Sequence, residues 1–121
     1  ALRKVIIGET KLYFSKQNEE KMSAAVKAVE TVDSCIGKIL DNISLDEYTM
    51  IITADHGCDP TFKGFDHTRE NVPVIIYGRN LREPKRLDIL DSMADIGATI
   101  ADNFEITSPL FIGKSFLEKL K

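Results

Sequence analysis

Tyr48-Thr49-Met50-Ile51-Ile52-Thr53-Ala54-Asp55-His56-Gly57 is the stretch that decides how this chain reads. Its first seven residues are apolar or β-branched and predict a buried strand. Asp55 and His56 then emerge at the carboxyl end of that strand, the edge of an open α/β sheet where ligands usually bind. After a polar loop, Asp66-His67-Thr68-Arg69-Glu70 brings a second Asp-His pair, and the only two histidines of the chain are the two in these pairs. Carboxylate oxygen with neutral imidazole nitrogen suits Mn²⁺, Fe²⁺ or Zn²⁺ better than Ca²⁺, which takes oxygen alone. The same dipeptide also has a plain reading, with the aspartate accepting backbone N–H groups in a turn. Clustering of both histidines in one loop weighs toward a metal site.

Working outward, Met22, Val26, Val29, Val32, Ile36, Ile39 and Ile43 recur at steps of three and four. That period predicts an amphipathic helix ending near Asn42, with Asn18 as N-cap and Glu19 and Glu20 at the positive end of its dipole. Lys4 to Ile7 reads as a short strand closed by Gly8, and Glu9 to Gln17 has no clear pattern. Downstream, Val72 to Tyr77 reads as a strand whose Pro73 must lie at its start or on an edge, because proline has no N–H to donate. Asp91 to Asn103 reads as a second helix. Met93, Ile96, Ile100 and Phe104 supply its buried face, and Gly97 and Ala98 permit close packing. Ile106 to Gly113 is a loop, and Ser115 is placed to cap a last short helix, Phe116 to Leu120. The pattern is α/β, one domain over residues 1–121, with a sheet flanked by helices.

Composition narrows the function classes. The chain has 121 residues, 43% of them apolar and 29% charged, enough for one modest globular domain. A net charge of −3 argues against a nucleic-acid partner, and the basic group Arg79, Arg82, Lys85 and Arg86 reads as a solvated loop. No apolar run is long enough to span a membrane, and the opening residues lack the layout of a secretory signal. Cys35 and Cys58 have no repeated spacing, so the expected compartment is reducing and cytoplasmic. Cys58 lies beside the histidines, but a thiolate would shift the site toward softer metals, so it is set aside as a ligand.

Around the proposed ion, Gly57 is suited to let the backbone turn after Asp55 and His56, and Pro60 and Gly64 allow the loop to fold back and bring His67 toward them. Thr68 is placed to hydrogen-bond a ligand oxygen or to orient His67. Arg69 is placed to contact a phosphate or to pair with a carboxylate such as Glu70. Asp59 and Asp66 read as turn residues. Tyr13, Phe14 and Tyr77 read as packing residues.

Thr53-Ala54-Asp55-His56-Gly57-Cys58-Asp59-Pro60-Thr61 and Gly64-Phe65-Asp66-His67-Thr68-Arg69-Glu70-Asn71-Val72-Pro73-Val74 closely resemble phosphopentomutases. Asp95 to Phe104 and Gly113-Lys114-Ser115-Phe116-Leu117 resemble the C-terminal region of that family, so the likeness runs from about Met22 to Leu117. It implies a partial alkaline-phosphatase-like core that interconverts (deoxy)ribose 1-phosphate and (deoxy)ribose 5-phosphate. Two Mn²⁺ ions and a phosphothreonine carry the reaction in that family. By position, Asp55 and His56 would bind one ion and His67 the other, with Thr68 and Arg69 as weaker substrate contacts. The family's phosphothreonine and its remaining metal ligands have no counterpart here. Phe14 to Lys21 holds neither Asp nor His. The expectation is therefore a C-terminal piece of the metal-binding core that needs the remainder of its parent enzyme. The rivals are a phosphoglycerate mutase or phosphohydrolase of the same superfamily, and a non-catalytic α/β domain that retains the metal loop.

Overall fold

The computed structural model describes residues 4–5, 18–64, 66–79, 81, 84–110 and 112–121. Among them the order is β1 (Lys4–Val5), α1 (Asn18–Leu40), β2 (Tyr48–Thr53), β3 (Val74–Tyr77), α2 (Ala94–Asn103) and a 3₁₀ turn at Leu117–Lys119. The expected α/β class holds. The three strands form one sheet in the order β1-β2-β3, and β1 runs parallel to β2 with Lys4 opposite Tyr48 and Val5 opposite Thr49. Ile6 and Ile7 of the first predicted strand lie outside the described residues, as do residues 9–17, 65, 80, 82, 83 and 111. The chain divides into two compact units. One holds β1, residues 45–51 and residues 76–121; the other holds α1 and Ile52–Ile75.

α1 forms over the predicted span, and its predicted apolar row is covered only in part, at Val32, Ile36 and, just past the helix, Ile43. Ala25, Ala28, Val32, Ile36 and Leu40 are half-buried, whereas Met22, Val26, Val29 and Ile39 are exposed. A spacing of three and four thus identifies the helix and its covered side but not how much of that row is covered. The helix closes as expected near Asn42: Asp41 N–H donates to the Gly37 carbonyl, and the Asn42 amide side chain donates to the Lys38 carbonyl at 2.8 Å.

β2 was expected to be buried throughout, yet only Thr49 is, at 3% exposure. β3 alternates, with Val74 and Ile76 half-buried and Ile75 and Tyr77 exposed, the two-residue period of a strand with one covered face. Pro73 falls just before β3, where its missing N–H leaves no gap in the ladder.

The buried core gathers around the C-terminal segment. Phe116, Leu117 and Leu120 are its buried members, and Ile76, Leu81, Leu87, Leu90 and Ile96 pack against them. α2 starts three residues later than predicted, at Ala94. The cause is Asp95, buried to 4% exposure. Its Oδ2 accepts the N–H groups of Asp91 and Ser92, and its Oδ1 accepts that of Lys114 at 2.8 Å. Residues 91 and 92 therefore turn around a carboxylate instead of joining the helix. A β-carbon at Gly113 would run into the Ala94 carbonyl, so the C-terminal segment reaches Asp95 only with glycine at this position. Thr99 extends the same seam: its hydroxyl donates to the Asp95 carbonyl and accepts the Phe116 N–H at 3.0 Å.

Gly97 does not permit close packing as expected; it is exposed, and nothing lies within 4 Å of where its β-carbon would be. Met93 and Phe104 are 46% and 47% exposed, and the small or polar Ala98, Thr99, Ala101 and Asn103 take their place as the buried residues. α2 ends with Glu105 at φ 57°, where the Ile106 N–H donates to the Ala101 carbonyl and the Glu105 N–H to the Asp102 carbonyl. This is the left-handed helix terminus usually taken by glycine. Ser115 does hold an amide, that of Leu117, but the predicted final helix is only a three-residue 3₁₀ turn.

Asp95→Ala removes the shared acceptor of three backbone N–H groups. It should lower unfolding stability by about 2–4 kcal/mol, read as an earlier urea midpoint with an unchanged slope.

Candidate metal centre

β2 ends at Thr53 and delivers Asp55 and His56 into a turn beyond its carboxyl end, as the sequence predicts. The Asp55 side chain is 78% exposed and that of His56 is 34% exposed. His56 Nδ1 lies 2.8 Å from the Gly57 carbonyl. A carbonyl only accepts, so Nδ1 carries the proton and the lone pair of the neutral ring is on Nε2. That nitrogen stands 3.6 Å from Asp55 Oδ1. Two donors bound tetrahedrally to one ion at ~2.1 Å are themselves ~3.4 Å apart, so the pair has the spacing of a shared ligand edge.

The loop folds back as predicted. Gly57 and Thr68 form an antiparallel bridge in which the Thr68 N–H donates to the Gly57 carbonyl at 3.2 Å. His67 comes to rest on His56, with ring centroids 3.5 Å apart and planes inclined by 8°. Imidazole lone pairs lie in the ring plane, so two parallel rings do not aim at one point. Each ring instead offers its lone pair within its own plane, one plane lying over the other.

Gly57 serves this turn for a reason other than the one expected. It does not have positive φ. It is buried, and a β-carbon there would meet the Glu70 carboxylate and would approach the Glu70 nitrogen and the Thr68 carbonyl at 2.8 Å. Close approach of the returning segment around Thr68 and Glu70, not a left-handed backbone, requires glycine.

Asp59 takes the turn role predicted for it. Its Oδ1 accepts the Thr61 hydroxyl at 2.7 Å and the Thr61 N–H at 2.8 Å, and its own N–H donates to Thr68 Oγ1 at 2.8 Å. The Thr61 hydroxyl first, and the Thr61 amide second, hold the Asp59 carboxyl below the usual carboxylate range. Asp66, Arg69 and Glu70 are exposed, and Cys58 is an exposed free thiol. The Thr68 hydroxyl, considered above as a ligand contact, already accepts the Asp59 N–H. Sequence reasoning missed this Asp59–Thr68 link, because a nine-residue separation across a loop has no periodic signal.

The nitrogen and oxygen donors fit a borderline divalent ion, and they form only part of a coordination shell. Among the described residues no group of three or more His, Cys, Asp and Glu side chains stands ready to enclose an ion.

A family profile described as Metalloenzyme superfamily matches residues 18–108. The chain belongs to this metalloenzyme superfamily. Within it, the chain is 54% identical over 93 residues to a phosphopentomutase of Clostridium botulinum (strain Alaska E43 / Type E3), covering 76% of this chain and 23% of that protein. It is 50% identical over 93 residues to the phosphopentomutase of Clostridium beijerinckii, with 76% and 23% covered, and 46% identical over 94 residues to that of Clostridium novyi, with 78% and 24% covered. The chain thus spans about a quarter of the length of the curated relatives it matches. Among the described residues, no helix is long and apolar enough to cross a membrane.

Two outcomes follow for the metalloenzyme loop. Gly57→Ala should open the Gly57–Thr68 bridge and lower stability by about 1–3 kcal/mol, with the loss of protection confined to amides 57–70 in hydrogen exchange. The depressed Asp59 carboxyl stabilises the loop fully above its unfolded value of about 4, and that contribution is lost as pH falls through the lower folded value. Thr61→Val should move the Asp59 midpoint up toward the ordinary range in a carboxyl NMR titration. The remaining Thr61 N–H keeps it from arriving there.

Proposed function

We propose that this chain works as part of a phosphopentomutase, supplying one side of a two-ion centre that acts on a pentose phosphate. Asp55 and His56 would hold one ion and His67 the other. The observation that carries the reading is the parallel stack of the two imidazoles beside Asp55, in a chain about half identical to phosphopentomutases. Manganese suits the nitrogen and carboxylate donors, and the two exposed free cysteines accord with a reducing, cytoplasmic setting.

The chain's own residues prepare this role before any substrate arrives. The Gly57 carbonyl fixes the His56 tautomer and leaves Nε2 facing outward as a donor. Asp55 brings negative charge beside that nitrogen, and its exposure leaves the carboxylate free to exchange water for a cation. His67 is held by ring contact rather than by a strand. Arg69, exposed one residue past the bridge, is placed to contact the phosphate through its guanidinium fork. When bound, paired divalent cations neutralise phosphate oxygens and stabilise charge during phosphoryl transfer. The remaining ligands and the residue that carries the phosphoryl group would come from the rest of the parent enzyme.

The test uses the full-length protein that carries this chain, loaded with Mn²⁺. It should interconvert ribose 1-phosphate and ribose 5-phosphate and leave 3-phosphoglycerate unchanged. His67→Ala should lower kcat/KM by about a hundredfold or more and reduce the bound manganese per chain. Turnover of 3-phosphoglycerate would instead place the chain with the phosphoglycerate mutases of the superfamily. Equal manganese content in wild type and His67→Ala would remove His67 from the site.

A further inference from the structure

The geometry points to Thr68 as a positioning residue that sets His67 against His56, rather than as a substrate contact. Its consequence for cation binding rests on the function proposed above. Three observations carry it. The Thr68 hydroxyl is half-buried and accepts the Asp59 N–H at 2.8 Å, across nine residues of loop. Its backbone N–H donates to the Gly57 carbonyl, the same atom that receives His56 Nδ1–H. His67, the residue just before it, is exposed and touches the site through its ring stack on His56.

Each link closes a different part of the loop. Asp59 is itself fixed by the turn in which Thr61 and Phe62 donate back to it, the latter to its carbonyl at 3.1 Å. Thr68 therefore joins an ordered turn on one side to the Gly57 carbonyl on the other. A side chain one residue away inherits that placement. Without the hydroxyl, the part-buried Asp59 N–H loses its acceptor and the loop relaxes toward water to recover one. His67 then leaves the His56 ring, and the side-by-side arrangement of the two nitrogens goes with it. Residues that orient a ligand without touching the ion typically change metal affinity 10–100-fold.

The test compares wild type, Thr68→Val and Thr68→Ser. Valine keeps the branched shape and removes the acceptor; serine keeps the acceptor. In histidine-labelled, metal-free protein, wild type and Thr68→Ser should show a through-space NMR contact between the two imidazole rings, and Thr68→Val should lose it. The Asp59 amide should exchange with solvent about tenfold faster or more in Thr68→Val. Mn²⁺ affinity, measured separately by EPR titration, should fall about tenfold in Thr68→Val and stay near wild type in Thr68→Ser. An unchanged ring contact with unchanged Mn²⁺ affinity in Thr68→Val overturns the inference. If the ring contact is lost in Thr68→Val while no variant binds Mn²⁺, the positioning role stands and the metal reading falls. Should Thr68→Val fail to fold, the wild-type Asp59 amide decides: slow exchange supports the link, and exchange at the open-chain rate overturns it.

Discussion

The Gly57 carbonyl accepts two donors at once, and the candidate site depends on it. One is the Thr68 N–H, which closes the loop; the other is His56 Nδ1–H, which fixes the tautomer. A single oxygen thereby couples a backbone closure to the direction of an imidazole lone pair. Closing a loop of this length has an entropic penalty that one neutral hydrogen bond barely offsets. The Asp59–Thr68 link, the Asp59–Thr61 turn and the ring stack supply the rest, and each lies within the same stretch of chain. Loop order and ligand geometry are therefore one property here, not two.

The other compact unit is organised by a buried carboxylate instead of a carbonyl. Asp95 is saturated by three N–H donors, which is how a charged group is tolerated at 4% exposure. The ion pair between Lys114 and Asp91 lies on the surface beside it at 2.8 Å and lowers the Asp91 carboxyl while raising the Lys114 amine. Both partners are exposed, so solvent screening leaves that pair a minor contribution. The buried network of Asp95 and Thr99 joins α2 to the C-terminal segment, whose Phe116 and Leu117 then fill the core.

Much of this was legible in the residues. The strand Tyr48–Thr53, the long helix and the strand after Pro73 follow from local period and from proline's missing donor. So does the placement of Asp55 and His56 past a strand end, while the return of His67 was read from turn residues alone. What could not be read is side-chain work across distance. The start of α2 is different: Ser92-Met93-Ala94-Asp95 has the spacing of a capping box, with Ser92 Oγ accepting the Ala94 N–H and Asp95 Oδ2 accepting the Ser92 N–H, a local signal that the apolar period alone passes over. Gly57 was read as a conformational hinge, because a glycine's role as room for a neighbour depends on where Glu70 returns. The apolar row of α1 is covered only in part for a similar reason: Val32 and Ile36 are half-buried while Met22, Val26, Val29 and Ile39 are exposed, because burial is decided by what lies opposite.

That last point has a consequence for handling the molecule. α1 carries Met22, Val26, Val29 and Ile39 at 43–67% exposure along its outer surface. Exposed apolar side chains of this kind are poorly wetted. Salts that are excluded from protein surfaces strengthen the drive to hide them. The helix therefore adds to the tendency of the isolated polypeptide to associate, which a modest net charge of −3 opposes only weakly.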